Sequence, residues 1–188
     1  SLHDALPIYN YFLAVFSTLE NVGYYGLIYK FGFFFSTFIA AFFFLFDPLS
    51  MKIRNESIMK NLPKAVLGII ILGLVYYFFV RFVLGLSFVE SYFGSKLNQV
   101  MNFKYIVLIY IIYAINGYLM VVFYKDEHKL YAWINGIAVI INILLNFYLI
   151  PKYEVQGAIL STIITYLIQL IIVLFVIKNK LGLSIIKK

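Results

Sequence analysis

Residues 65–87 read AVLGIIILGLVYYFFVRFVLGLS and carry a single charge, that of Arg81. An α-helix rises about 1.5 Å per residue, so roughly 20 apolar residues cross the hydrocarbon core of a bilayer, which is about 30 Å thick. Residues 65–87 are long enough and apolar enough to make this crossing. The stretch therefore predicts a transmembrane helix.

Four further apolar stretches of similar length occur in the chain. The predicted spans are residues 22–46, 65–87, 105–123, 130–150 and 155–177. The 188 residues are 64% hydrophobic and 12% charged, whereas a soluble domain is about 45–50% apolar and about 25% charged. We therefore predict an all-α fold, a polytopic membrane helical bundle of about five transmembrane helices within residues 22–188.

The first 21 residues contribute little to this prediction. Residues 1–8 read SLHDALPI, which matches the translation of a common sequencing adapter, and we interpret them as an artefact outside the fold. Residues 9–21 are amphipathic and too short to cross a bilayer. We interpret residues 9–21 as the remnant of a truncated helix.

The basic residues lie mainly at the ends of the predicted spans, and their distribution predicts an orientation. Four lie in the 47–64 link, two in the 124–129 link and four in the C-terminal tail, which places ten on one side. The other side has three, Lys96, Lys104 and Lys152. Because cytoplasmic loops carry the excess of lysine and arginine, we expect the C-terminus in the cytoplasm. We therefore interpret the net charge of +7 as a consequence of the basic residues that orient the helices in the membrane, and not as a sign of nucleic-acid binding.

Two charged residues fall inside the predicted spans, Lys30 and Arg81, while all eight aspartate and glutamate residues fall outside them. A lysine inside the bilayer costs about 2.5–3.5 kcal/mol on insertion scales and commonly marks a functional site. Snorkelling toward the headgroups is the alternative for Lys30, and it is the favoured explanation for Arg81, which lies nearer the end of its span. A membrane cavity with cations and no acids suits an anionic substrate such as a phosphate or pyrophosphate.

Uncharged polar residues indicate where helices pack together. Asn135, Asn142 and Asn146 are spaced by seven and four residues, so they share one helical face. Residues 157, 161 and 165 are glycine, serine and threonine, and small residues at every fourth position let helices approach closely. Packing between helices is the favoured interpretation of both patterns. Asn116 and Gln169 are further candidates to line a cavity.

The sequence carries no recognisable catalytic motif. It has no cysteine and shows no paired carboxylates, no metal-ligand spacing and no glycine-rich phosphate loop. His128 lies in a charged loop, where a solvated role is expected in preference to ligation. We therefore expect a protein that is not an enzyme and that uses no cofactor or metal. Four residues are the candidates for substrate binding: Lys30, Arg81, Asn116 and Asn142.

Two stretches resemble polysaccharide flippases of the multidrug/oligosaccharidyl-lipid/polysaccharide exporter superfamily. Residues 21–53, NVGYYGLIYKFGFFFSTFIAAFFFLFDPLSMKI, are similar to a helix of that family that ends at a proline followed by basic residues. Residues 141–170, INILLNFYLIPKYEVQGAILSTIITYLIQL, are more similar still. The family signature matches at Asn142, Asn146, Pro151, Lys152, Tyr153, Gly157 and Ala158. The chain departs from it at Glu154, where the family often has glycine.

The resemblance implies the C-terminal half of a two-lobe exporter-type fold in the bacterial inner membrane. Its implied partners are a lipid-diphosphate-linked oligosaccharide, membrane lipids and the N-terminal lobe of the same protein, with no nucleic acid. The implied activity is the flipping of that lipid-linked oligosaccharide by alternating access. The alternatives are a multidrug extruder or a peptidoglycan-precursor flippase of the same superfamily, or a membrane-embedded polysaccharide polymerase or ligase.

Overall fold

The fold is a bundle of long apolar helices. The structure, a computed structural model, describes residues 11–50, 52, 55–87, 91, 93–94, 100–124 and 127–180. A short helix, α1, covers residues 11–16, and it is followed by α2 (Leu19–Ser50), α3 (Asn55–Leu84), α4 (Phe103–Tyr124) and α5 (His128–Lys180). Each of α2 to α5 is long and apolar enough to cross a bilayer. The predicted all-α membrane fold is confirmed. The SLHDALPI segment and the basic tail from residue 181 lie outside the described residues.

Helix α5 contains the last two predicted spans, joined at Glu154. The backbone of Glu154 has φ 51° and ψ −124°, which is not helical. It divides α5 into arm α5a, residues 128–153, and arm α5b, residues 155–180. The side chain of Asn142 bonds to Thr165 across 23 residues, and that of Gln169 bonds to Asn135 across 34. Because bonded pairs farther from Glu154 are farther apart in sequence, the two arms run antiparallel and form a hairpin.

Helix α4 is the central element of the bundle. In its most apolar stretch, 72% of the residues are buried inside the bundle, whereas the corresponding shares are 28% for α2 and 17% for α3. Gly32 of α2 lies against Ile106 and Tyr110 of α4, and Gly73 of α3 lies against Ile111. Without a β-carbon, each glycine lets its helix approach α4 closely, as small residues do in membrane bundles. The outward faces of α2 and α3 carry exposed phenylalanines, as lipid-facing helices do.

The helical boundaries near the 47–64 link differ from the prediction. That stretch was expected to be a polar link, but α2 continues to Ser50 and α3 begins at Asn55 and runs through Pro63. The reason is packing, because Ile58, Met59 and Leu62 are buried against the second half of α4. The hydroxyl of Tyr118 also donates a 3.0 Å hydrogen bond to the carbonyl of Ile58. These tertiary contacts hold the first turns of α3 in place despite the proline.

Candidate functional site

Lys30 lies on the face of α2 that does not pack against the bundle. The packed face of α2 includes Tyr25, Ile28 and Phe35, each at most 1% exposed. Successive residues of a helix are about 100° apart, so Lys30 points almost directly away from that face. Lys30 is exposed, as are Phe33 and Phe34 one helical turn further along the same side. An ammonium group is therefore available on the outside of this helix.

The depth of Lys30 follows from a nearby hydrogen bond between two helical regions. The amide of Asn102, just before α4, donates to the hydroxyl of Tyr24 at 2.6 Å. Near it, the side chain of Asn21 bonds to Glu154 at 2.9 Å. We call the end of the bundle that contains these four residues the turn end. Lys30 follows Tyr24 by six residues and lies about 9 Å deeper along α2, which places it within the apolar part of the helix.

Arg81 lies at the turn end of α3, in the last helical turn. The predicted span continued to Ser87, but α3 ends at Leu84 and the chain turns at Gly85. Arg81 is exposed and three residues from the helix end, so its guanidinium can reach the headgroup region. A cation in the last turn also interacts favourably with the helix dipole. These surroundings favour an interfacial position for Arg81.

Asn116 is buried between α4 and α5b, with 3% of its surface exposed. Its amide nitrogen donates to the carbonyl of Ile112 and to the carbonyl of Tyr166, both at 3.1 Å. The first bond is local to α4, and the second joins α4 to α5b. The side-chain oxygen has no hydrogen-bond partner among the described residues. Asn116 thus lies inside the bundle and not on an open surface.

Asn142 belongs to a set of hydrogen-bonded side chains between α5a and α5b. Its amide donates to the hydroxyl of Thr165 at 3.2 Å, and its oxygen accepts from the amide of Asn146 at 2.9 Å. The hydroxyl of Ser161 donates to the oxygen of Asn146, and Gln169 donates to Asn135 at 3.1 Å. We call this set the amide ladder: Asn135, Asn142, Asn146, Ser161, Thr165 and Gln169. The predicted packing role of both polar patterns is confirmed.

The four predicted site residues occupy different surroundings. Asn116 and Asn142 contact adjacent residues of α5b, Tyr166 and Thr165, and both use their amides to join helices. Lys30 and Arg81 are exposed on α2 and α3. The cations are therefore available to a ligand beside the bundle, while the amides stabilise its interior.

Sequence reasoning missed a set of contacts at the turn end. The amide of Asn21 donates both to Ser17 at 2.7 Å and to Glu154 at 2.9 Å. The hydroxyl of Thr18 accepts from the backbone N–H of Asn21 at 3.2 Å, as an N-cap of α2 does. The cap could have been found from the spacing of Thr18 and Asn21. The pairing of Asn21 with Glu154, which lies 133 residues away, could not have been found from the sequence.

The described residues contain no cluster of histidine, cysteine, aspartate or glutamate that could hold a metal ion. Comparison with protein-family models, with curated proteins and with solved structures gave no match to the chain. The functional argument therefore depends on what the side chains can do. Among the described residues, Lys30 stands out because its exposed ammonium group lies on the outer face of an apolar helix.

Proposed function

We propose that this chain is part of a flippase that moves a lipid-diphosphate-linked oligosaccharide across the bacterial inner membrane. The proposal is supported by the multi-pass helical bundle and by the resemblance of residues 21–53 and 141–170 to polysaccharide flippases. In this proposal the chain forms most of the second lobe, and the turn end faces the exterior. The C-terminus is then cytoplasmic.

The observation that carries the proposal is the position of Lys30. It is exposed on the unpacked face of α2 and lies about 9 Å below the Tyr24–Asn102 pair. An ammonium group in such surroundings requires an anionic or polar partner, because the charge is costly to leave in hydrocarbon. A lipid diphosphate carries its charge beside its lipid tail. A phosphate group could therefore reach Lys30 while the tail stays in the bilayer.

The distribution of acidic residues agrees with an anionic substrate. Four acidic side chains are described, and all lie near helix ends. Glu20 and Glu56 are in first turns, Glu127 directly precedes α5, and Glu154 is at the hairpin turn. None is positioned within the apolar middle of a helix to repel a phosphate at Lys30 or to attract a cationic drug. Attraction between Lys30 and an anion is therefore not offset nearby by a described carboxylate.

The proposed mechanism is alternating access between two lobes. The hairpin α5a–α5b is tied internally by the amide ladder, and α4 is joined to α5b through Asn116. These ties make α4 and α5 a unit that can move as a rigid body, as the repeats of secondary transporters do. Helix α2 carries Lys30 at the edge of this unit. Arg81 provides a second positive charge near the turn end, where the diphosphate would arrive or depart.

Replacement of Lys30 tests the proposal. In the complete protein we expect Lys30→Ala to reduce export of the lipid-linked oligosaccharide about tenfold or more, because a charge-assisted contact is lost. Lys30→Arg should retain part of the activity. Export is measured in cells that lack their own flippase, with the amount of protein in the membrane held equal.

Lys60→Ala is the matched control, because Lys60 is an exposed lysine of α3 far from the turn end. Its export should equal that of the unaltered protein. Equal export by Lys30→Ala would remove Lys30 from the mechanism. No export by the unaltered complete protein would contradict the flippase proposal itself.

A further inference from the structure

Asn21 joins three separate parts of the chain at the turn end. Its amide nitrogen donates to Ser17, which ends the segment that contains α1, and to Glu154 at the hairpin turn. Asn21 itself belongs to the first turn of α2. One side chain therefore connects α1, α2 and the hairpin.

Helix α1 is also packed against α5a. The ring of Phe12 meets that of Phe147 edge to face, with centroids 4.7 Å apart, and Phe16 lies 6.2 Å from the same ring. Leu13 is completely buried. The chain then breaks its helix at Ser17 and Thr18 before α2 begins. This break gives α1 a point at which it can move relative to α2.

Glu154 adopts a backbone conformation that is costly for a residue with a side chain. Its φ of 51° with ψ of −124° lies where glycine is favoured. Strained residues of this kind persist when surrounding contacts hold them, and they cluster at moving or functional parts. Glycine would relax the backbone here but would lack the carboxylate that accepts from Asn21. The hydrogen bond to Asn21 therefore gives the Glu154 side chain a structural role that glycine could not fill.

We propose that the Asn21–Glu154 hydrogen bond is a latch that holds α1 and the start of α2 against the hairpin turn. The contact is exposed, and a single exposed hydrogen bond is weak enough to open by thermal motion. When it opens, α1 separates from Phe147 and the turn end widens. The part of this inference that concerns transport rests on the proposed function, in which the latch must open for each cycle.

Hydrogen exchange in the 188-residue chain, reconstituted in lipid nanodiscs, tests the latch without any transport. Loss of the Asn21–Glu154 hydrogen bond should raise the exchange rate of the amides of residues 11–18 about fivefold in Glu154→Ala. Asn21→Leu also loses the bond to Ser17 and should raise the rate at least as much. Glu154→Gly should show the same rise, since it relaxes the backbone but still lacks the carboxylate. Glu20→Ala, which removes a neighbouring exposed carboxylate, is the control and should show no rise.

Unchanged exchange in Asn21→Leu and Glu154→Ala would overturn the latch. Slow exchange in Glu154→Gly together with fast exchange in Glu154→Ala would overturn it too, because backbone strain would then explain the effect. Exchange of the α4 amides should stay slow in every variant. A general rise there in both latch variants would mean that the contact supports the whole fold and is not a latch.

A reversible cross-link tests the role of the latch in transport. The chain has no cysteine, so Asn21→Cys and Glu154→Cys are the only thiols within it. A short bis-methanethiosulfonate reagent can join them in the complete protein once any cysteine outside this chain has been replaced by serine. Export should fall about tenfold on cross-linking and return on reduction. Full export by the cross-linked protein would overturn the role in transport. Absence of export by the unaltered complete protein would contradict the proposed function, while the exchange experiment would still decide whether the latch exists.

Discussion

We expect Gly157→Ala to lower the free energy of unfolding by about 3 kcal/mol or more. A β-carbon at this position would lie 2.6 Å from the carbonyl carbon of Leu149 and 2.9 Å from the Cα of Ile150, and it would be closer still to the Leu149 carbonyl oxygen. These are backbone atoms of the opposite arm, so they cannot move aside unless the hairpin opens. Opening would also separate Asn146 from Ser161 in the amide ladder.

The matched control for Gly157 is Gly136→Ala in the same helix. A β-carbon at Gly136 meets nothing within 4 Å, and alanine favours helix by about 1 kcal/mol over glycine. Gly136→Ala should therefore be neutral or stabilising. Both variants can be compared by SDS titration of the purified chain, with circular dichroism as the readout. Equal stability of the two variants would contradict the close approach of Gly157 to the backbone of Leu149 and Ile150.

Gly32→Leu should detach α2 from α4 and cost about 2 kcal/mol of stability. A β-carbon at Gly32 would lie 2.7 Å from the ring of Tyr110 and closer to Ile106. Both neighbours are nearly completely buried, so they have little room to withdraw. The larger leucine would force the two helices apart.

Gly26→Leu is the control, because it lies in the same helix and a β-carbon there meets nothing within 4 Å. It should leave stability unchanged or raise it slightly. The same SDS titration provides the comparison. If Gly32→Leu were as stable as Gly26→Leu, the close approach of α2 to α4 would be contradicted.

The spans could be predicted from sequence because each is an apolar run of sufficient length. The polar packing faces of the last two spans could be predicted because polar residues recur there at helical spacing. Asn142 and Asn146 share one face of α5a for this reason, and across from them Thr165 and Ser161 share one face of α5b. The helical boundaries were less predictable. Pro63 argues locally for a helix end, but the burial of Ile58 and Leu62 against α4 outweighs that preference.

The candidate site was predictable only in part. A lysine in an apolar helix is visible in the sequence, but which side of α2 packs against α4 depends on Gly32, Ile106 and Tyr110. The roles of Asn116 and Asn142 also depended on partners distant in sequence, and those partners place both amides inside the bundle. The Asn21–Glu154 contact joins residues 133 positions apart. No local pattern encodes such a pairing.

Cysteine labelling in intact cells tests most directly whether these helices cross the membrane with the turn end outside. The chain has no cysteine, so one can be introduced alone at Ser91, Lys152, Lys52 or Lys129, all of which are exposed. A thiol reagent that cannot cross the membrane should label Ser91→Cys and Lys152→Cys in intact cells. It should label Lys52→Cys and Lys129→Cys only after the membrane is permeabilised. Labelling of all four to the same extent in intact cells would contradict the account.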